Sequence, residues 1–559
     1  LSIRPDDPST TWTKLAAPLI FDGTSTPVKK ALFCIICAAW ILPGLIGHDP
    51  WNPDEAVPFG VIFSMLTDGY WLTPMVAGEA NFDYPPLYHW VGALFATLFG
   101  WLMPLHDAAR LATGFFMAIT LLYVHKTATR LFDERAGRIA ILLTIGCLGL
   151  LIRAHQINPE IAALAGMAVA IYGMTRIRSE PRKGGVTTGI GAAVMALSVG
   201  IAPALVVPLT AIALMIFVGE TRNRDFRRGI LISLAVMLPL MALYPIALAI
   251  KGNIEPRMWV DVILGAPFLA AGTRSAIKIN YFAQILIWYA LPALPFALWL
   301  WWRDRAKLRE RIELALPFVA FATTLVYFSL GREARDASAL ALLVPLALAA
   351  AMALDRLPRD VATVMDWFGL LFFGLAAIAL WFYWGAALLQ VPEAAARAVA
   401  RQVADFSFRF HLWAFLLAVA LTLVWLYAVV RAHRNNRRAI VNWAAGITLI
   451  WVLANLLGQP ALNHVLSHRR IVAAVNEKLP AQRTCVASYG IGESERASFD
   501  YFAKLRFIVQ TDEGAARCEW LLTFGNRQYP PVVDAAWKKV WEGGRPRDKD
   551  ELFRLYRKQ

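Results

Sequence analysis

The sequence is short of charge. Only 17% of its 559 residues are Asp, Glu, Lys or Arg, against 58% hydrophobic residues and a mean hydropathy of +0.50. That balance excludes a soluble protein of this length and puts the chain in a bilayer. The charge that remains leans one way, with a formal net of +15. In so apolar a chain the surplus reports Lys and Arg kept on the cytoplasmic side, not a nucleic-acid partner. Cysteine is equally scarce, and five residues cannot build a disulfide scaffold. Cys34 and Cys37 have Cys-x-x-Cys spacing but lie in an apolar run, where they read as small buried residues. A Walker loop, a dinucleotide fingerprint, a His-Glu-x-x-His pair and any clear metal-ligand cluster are also missing. A cytoplasmic nucleotide-driven reaction is therefore disfavoured, no cofactor is expected, and a need for a divalent metal is left open. No internal repeat is evident, which counts against the many secondary transporters built from repeated halves.

What the sequence has in abundance is apolar runs. Stretches near 31–47, 108–125, 138–152, 160–176, 185–200, 202–218, 229–250, 280–302, 313–330, 338–354, 364–389, 411–430 and 439–457 read as membrane spans, thirteen in all. The run 86–103 is ambiguous, and charge arbitrates. Basic clusters such as Arg176/Arg178/Arg182/Lys183 and Arg303/Arg305/Lys307/Arg309/Arg311 alternate with weakly charged loops. Every cluster falls inside only if 86–103 does not cross. The expected architecture is an α-helical polytopic membrane protein with its N-terminus in and its C-terminus out. Residues 1–30 form a cytoplasmic segment, 31–457 a transmembrane domain, and 458–559 a small extracytoplasmic α/β domain. The first thirty residues are polar and Pro/Thr-rich, so the first span is expected to serve as an uncleaved signal anchor. The outer loop 48–107 carries two interfacial helices, 54–66 and 86–103, flanked by Trp51, Trp71, Trp90 and Trp101. In the C-terminal region Cys485–Tyr489 and Cys518–Leu522 read as strands, and Arg496–Leu505 and Val532–Trp541 as helices. A position outside the membrane would permit a disulfide between Cys485 and Cys518.

Candidate chemistry gathers at outer ends of spans. In Asn52-Pro53-Asp54-Glu55, Asn52 and Glu55 have capping-box spacing, with Pro53 at the first helical position. Glu55 then has a structural task, while Asp54 either complements the helix end or is held there, ionised, for catalysis. Asn158-Pro159-Glu160 repeats the device at another outer end, with Arg153 and His155 in the same loop. His155 is structural or substrate-binding. Asp68-Gly69 is a turn that closes the first interfacial helix. Asp83, before Tyr84-Pro85-Pro86, faces the same cavity as Asp54 or solvates a loop. Outer cations are few: Arg257, Arg274, Arg332 and Arg335 are suited to bidentate phosphate binding or to pairing with nearby acids.

The series Pro53-Asp54-Glu55-Ala56, Trp71-Leu72-Thr73-Pro74 and Asp83-Tyr84-Pro85-Pro86-Leu87-Tyr88-His89-Trp90 resembles the aminoarabinose-transferase and protein-mannosyltransferase superfamily of GT-C glycosyltransferases. The resemblance is specific in the first outer loop and extends through the span pattern and the outer C-terminal domain. It implies the GT-C fold in a bacterial inner membrane. It also implies a glycosyltransferase using an undecaprenyl-phosphate-linked sugar at the periplasmic face, with lipid A, a glycan or a protein as acceptor. Aminoarabinose transfer to lipid A is the leading instance; transfer of another sugar, or a lipid or solute transporter, are the alternatives. Carried over by position, Asp54 matches the acid after the first span, and Glu160 lies where members carry a second acid. Tyr84, Tyr88 and His89 fall within the loop motif and are assigned to substrate binding with Asp83 and Arg153. The aminoarabinose transferases have an acid and then Lys before the two prolines. Tyr84 stands at that Lys here, so an outer Arg must supply the cation for the lipid phosphate, or the substrate differs.

Overall fold

A computed structural model describes residues 27–251, 279–330, 335–431, 438–480, 485–509, 515, 517–526, 528, 531, 533–545 and 551–559. The apolar stretches fold as helices, the way a single segment can satisfy its own backbone polar groups in hydrocarbon. Among the described residues, seven helices are long and apolar enough to cross a membrane: Leu105–Leu131, Pro159–Ile177, Arg224–Lys251, Ile312–Ser329, Arg359–Leu389, Leu412–Val430 and Arg438–Leu466. An eighth is counted if Ile279–Tyr289 and Ala293–Arg309, bent by 112°, form one broken span. Other stretches read as spans are shorter helices, such as Pro27–Ile41 with 15 residues and Glu134–Gly146 with 13. Pro181–Val199 is rich in glycine and lies close against Pro159–Ile177. A Cβ on Gly191 would come within 2.4 Å of the Ala170 nitrogen, so only glycine permits that approach.

The loop 48–107, expected from its charge pattern to be an outer loop and so named, folds into helices Ala56–Asp68 and Leu87–Phe99, 13 residues each. Such a helix is about 20 Å long, short of the roughly 30 Å hydrocarbon core. Gly69 takes a left-handed φ of 73° and ends the first helix, as the Asp-Gly pair predicts. Asp68 itself pairs with Arg506 at 2.6 Å. A minimal antiparallel hairpin, β1 (Met75–Val76) and β2 (Glu79–Ala80), lies between the two helices.

The C-terminal region is an α/β layer. Its strands are β3 (Val486–Tyr489), β4 (Ile508–Val509), β5 (Trp520–Gly525), β6 (Trp537–Gly543) and β7 (Leu552–Lys558), in sheet order β4-β3-β5-β7-β6. β3 runs parallel to β4 and β5, whereas β7 is antiparallel to β5 and β6. Phe499 and Val475 from helices Glu493–Ala503 and Arg469–Lys478 pack with Leu522, Phe553 and Leu555 of the sheet. Cys485 and Cys518 form a disulfide just ahead of β3 and β5. The segment Val532–Trp541 departs from expectation. Its residues from Trp537 form the edge strand β6, because pairing with β7 overrides local helical preference, and exposed Lys538 and Lys539 suit an edge.

This layer sits directly on the outer loop. A Cβ on Gly60 would meet the Ala497 methyl at 2.9 Å, so the helix Glu493–Ala503 seats that methyl directly on the Gly60 backbone of Ala56–Asp68. Asn52 Nδ2 donates to Glu495 at 2.8 Å, and Asn81 Nδ2 to Glu493 at 2.7 Å.

Candidate active site

The outer loop is anchored by a buried ionic hub that the sequence does not advertise. Glu55 is fully buried, and Arg110 Nε donates to its Oε1 at 2.8 Å. The same oxygen accepts the Ile157 backbone N–H at 2.8 Å, and Oε2 accepts that of Trp51 at 3.0 Å. Arg110, also without exposure, donates to Asp107 at 2.8 Å and to the carbonyls of Leu45 and His48. Burial alone would raise the Glu55 carboxyl, but Arg110 and then His48 hold it below its usual range, so it stays ionised. The capping-box expectation is corrected here. The helix starts only at Ala56, no side chain caps it, and Asn52 reaches Glu495 instead. Glu55 satisfies three partners from three segments, a stronger demand than one helix end makes.

One residue earlier, Asp54 is exposed and opens on a cavity of about 350 Å³ whose walls include Tyr84, Arg153, Asn158, Arg335 and Asp336. Arg153 bridges two acids across it, with Nη1 2.9 Å from Asp54 and Nη2 2.8 Å from Asp336. Burial disfavours that guanidinium, but Asp54 and Asp336 outweigh it and raise its affinity for the proton, so it is a permanent cation. Asn158 Oδ1 accepts the Glu160 backbone N–H at 3.0 Å and Pro159 takes the first helical turn, which sets Glu160 at the head of Pro159–Ile177 as the Asn-Pro-acid pattern predicts. Burial, then Glu160, pushes the Tyr84 phenol up, so it is a neutral hydroxyl, and it shares the cavity wall with Arg335. A cation thus stands against the residue that replaces the Lys.

The cavity therefore brings together Asp54, Tyr84, Arg153 and Arg335, with Glu160 close enough to act on Tyr84 electrostatically. Other assigned residues are placed elsewhere. Tyr88 is buried, its hydroxyl 2.6 Å from Thr113 and accepting the Asn158 N–H at 3.1 Å, so it braces the Asn-Pro turn from behind. His89 is buried edge-on to Tyr88 and is kept neutral by burial, which lowers it to about 4. His155 packs between Trp40 and Trp451, its ring nitrogens against the carbonyls of Leu151 and Trp40, and burial likewise lowers it to about 4. Tyr88, His89 and His155 are thus packing residues and not cavity walls, because a ring with an apolar face on a closely packed helix is worth more inside. Asp83 is exposed, outside the cavity lining. Arg257, Arg274 and Arg332 lie outside the described residues. Asp336 and Arg110 went unassigned in the sequence. Asp336 is in sequence one of the acids near the outer arginines, and Arg110 sits in an apolar run with no local pattern.

Known proteins share sequence and fold with this chain. Residues 83–248 match the family model described as dolichyl-phosphate-mannose-protein mannosyltransferase. An undecaprenyl phosphate-alpha-4-amino-4-deoxy-L-arabinose arabinosyl transferase 2 of Sodalis glossinidius (strain morsitans) is 31% identical over 118 residues. That match spans 21% of this chain and 21% of the relative's length. The crystal structure of ArnT from Cupriavidus metallidurans bound to undecaprenyl phosphate superposes with a TM-score of 0.68 at 18% identity, covering 95% of this chain and 98% of that one. Its apo form gives 0.67 at 18% identity, with 94% and 97% covered. The resemblance read in the first outer loop is borne out across nearly the whole chain as a shared fold.

Proposed function

We propose that this chain, which has the fold of the aminoarabinose-transferase-like GT-C superfamily, is an integral-membrane glycosyltransferase that moves a sugar from a polyprenyl-phosphate donor to an acceptor. The observation that carries the reading is the cavity pairing Asp54 with Arg153 beside Tyr84 and Arg335. Transfer breaks the bond between the sugar C1 and a phosphate oxygen and forms one from C1 to an acceptor oxygen. The departing phosphate keeps the bonding pair and needs positive charge, which Arg153 and Arg335 offer as forked donors. A hydroxyl acceptor must lose its proton, and Asp54 is the exposed carboxylate placed to take it. The two requirements are linked. A phosphate that draws Arg153 away from Asp54 releases the carboxylate to act as base, while Asp336 keeps the guanidinium oriented. Glu160 assists at the head of its helix. A phosphate acceptor would need positioning by Asp54 and no proton transfer.

The topology belongs to the same proposal: thirteen spans, N-terminus inside, and the outer loop 48–107 with residues 458–559 on the periplasmic side of a bacterial inner membrane. Undecaprenyl phosphate is the carrier that the bound ArnT structure suggests, and aminoarabinose with lipid A is the first pair to test. Tyr84 in place of Lys favours a second reading, another sugar or a glycan or protein acceptor, with Arg335 supplying the phosphate contact. The test is mass spectrometry of surface lipids, glycans and proteins from cells carrying the active chain or its Asp54→Asn variant. A sugar-modified species that disappears with Asp54→Asn identifies sugar and acceptor together. Profiles identical between the chain and Asp54→Asn would remove Asp54 from the catalytic set, and profiles identical with and without the chain would remove the transferase reading in favour of transport.

A further inference from the structure

Three potential metal ligands far apart in sequence meet where the C-terminal layer rests on the outer loop. His468, Glu495 and Glu551 each bring one ligand atom, and these atoms lie within 4.8 Å of one another. His468 is 1% exposed and Glu495 6%, a costly place for a carboxylate and for an imidazole whose ring nitrogens have no hydrogen bond. Neither ring nitrogen of His468 has a hydrogen bond, although its Nε2 points at Glu551, 3.6 Å from Oε2. Such a distance is too long for a hydrogen bond. It is close to the roughly 3.3 Å edge of a tetrahedron whose ligands stand about 2.0–2.1 Å from a metal.

We propose that His468, Glu495 and Glu551 bind one divalent transition-metal cation, with Zn²⁺ the first to test, clamping three segments of the C-terminal layer together where Glu495 meets Asn52 of the loop. Imidazole nitrogen and carboxylate oxygen are both zinc donors, and three protein ligands leave a fourth position for water. The charge around the site is compatible. Arg545 bonds both oxygens of Glu551, through Nε at 2.6 Å and through Nη2, while Glu495 accepts from the neutral donors Asn52 and Ser494. Each carboxylate oxygen keeps a second lone pair for a metal. Glu495 Oε1 is oriented by Asn52 Nδ2 at 2.8 Å and by Ser494 Oγ at 2.9 Å, hydrogen bonds of the kind that orient metal ligands. Asn52 Oδ1 is a further buried oxygen without a partner. Asn52 stands two residues before Asp54, so the metal would fix the approach to the cavity without entering it. Sequence patterns miss the site because its ligands lie on three separate segments, with none of the short spacings that mark a metal motif.

The test uses the full chain in detergent, carried on a histidine-free tag, incubated with ZnCl₂ and freed of excess metal. Elemental analysis should find about one zinc per chain in the wild type and at least about tenfold less in His468→Ala and in Glu495→Gln. Chelation should lower the unfolding midpoint of the wild type and leave that of Glu495→Gln unmoved. If His468→Ala fails to fold, Glu495→Gln decides the matter, since it nearly preserves side-chain volume. Wild type that holds no zinc, or variants that hold as much as wild type, would overturn the clamp. A wild-type midpoint insensitive to chelator would do the same.

Discussion

Asp54 and Glu55 are adjacent in sequence and opposite in surroundings. Glu55 points inward and is bound by Arg110, Ile157 and Trp51, while Asp54 points into the cavity and holds Arg153. The same substitution should therefore separate their roles. Asp54→Asn is expected to reduce transfer by at least about 10²-fold, the scale of a positioned acid–base group, with the unfolding midpoint unchanged. Turnover assays and thermal unfolding of one preparation check both halves, and full turnover would remove Asp54 from the catalytic set. Arg110→Ala leaves Glu55 and Asp107 buried without their cation and should cost about 3–5 kcal/mol of stability. Denaturant titration in detergent reads that loss, and a cost below about 1 kcal/mol would mean that water reaches the hub. Tyr84 offers a finer test. Tyr84→Phe keeps the ring but removes a hydroxyl from the cavity wall beside Arg335, and loss of one hydrogen bond there, about 1 kcal/mol, should weaken donor binding roughly fivefold in a binding titration.

At the scale of elements, the sequence was most informative where one local rule decides. The Asn158-Pro159 helix start and the Asp68-Gly69 stop follow from side-chain capping and from glycine's left-handed freedom, and both fall where the pattern puts them. The Asn52-Pro53-Asp54-Glu55 cap fails because Glu55 meets a buried arginine about 55 residues away in sequence, a contact no local spacing reveals. Strand β6 fails for a related reason, since its partner β7 lies beyond it in the chain. Half of the candidate site was legible in the same sense. Asp54, Arg153 and Arg335 stand out as charges in apolar surroundings, whereas Tyr88, His89 and His155 looked functional only because their burial could not be seen. The paired strands carry one prediction of their own. The disulfide joins residues 33 apart, and on loop-closure entropy its reduction should cost about 3–4 kcal/mol. A lowered unfolding midpoint in reductant, absent from a Cys485→Ser/Cys518→Ser double variant, is the expected result.

For the whole molecule, the question is how firmly the C-terminal layer stays seated on the outer loop. Its main ionic tie is Asp49, which is buried and bonded by Arg469 Nε at 3.0 Å and by Ser467 Oγ at 2.7 Å. Burial pushes the Asp49 carboxyl up, but the bonds from Arg469 and Ser467 outweigh it and leave it below its ordinary value. A group depressed by folding stabilises the folded form fully above its unfolded value, about 3.9, and loses that contribution as pH falls through the depressed value. Seating should accordingly be insensitive to pH between about 5 and 8 and weaken only in stronger acid. Limited proteolysis with an acid-active protease at pH 3, and with a neutral one at pH 7, reads this directly as the rate of release of the C-terminal layer. Asp49→Asn cannot gain or lose that charge. It should release the layer faster at pH 7 and show a smaller further rise at pH 3 than the wild type. Equal acid responses in the two proteins would place the tie elsewhere, with the Asn52–Glu495 and Asn81–Glu493 contacts the next to be removed.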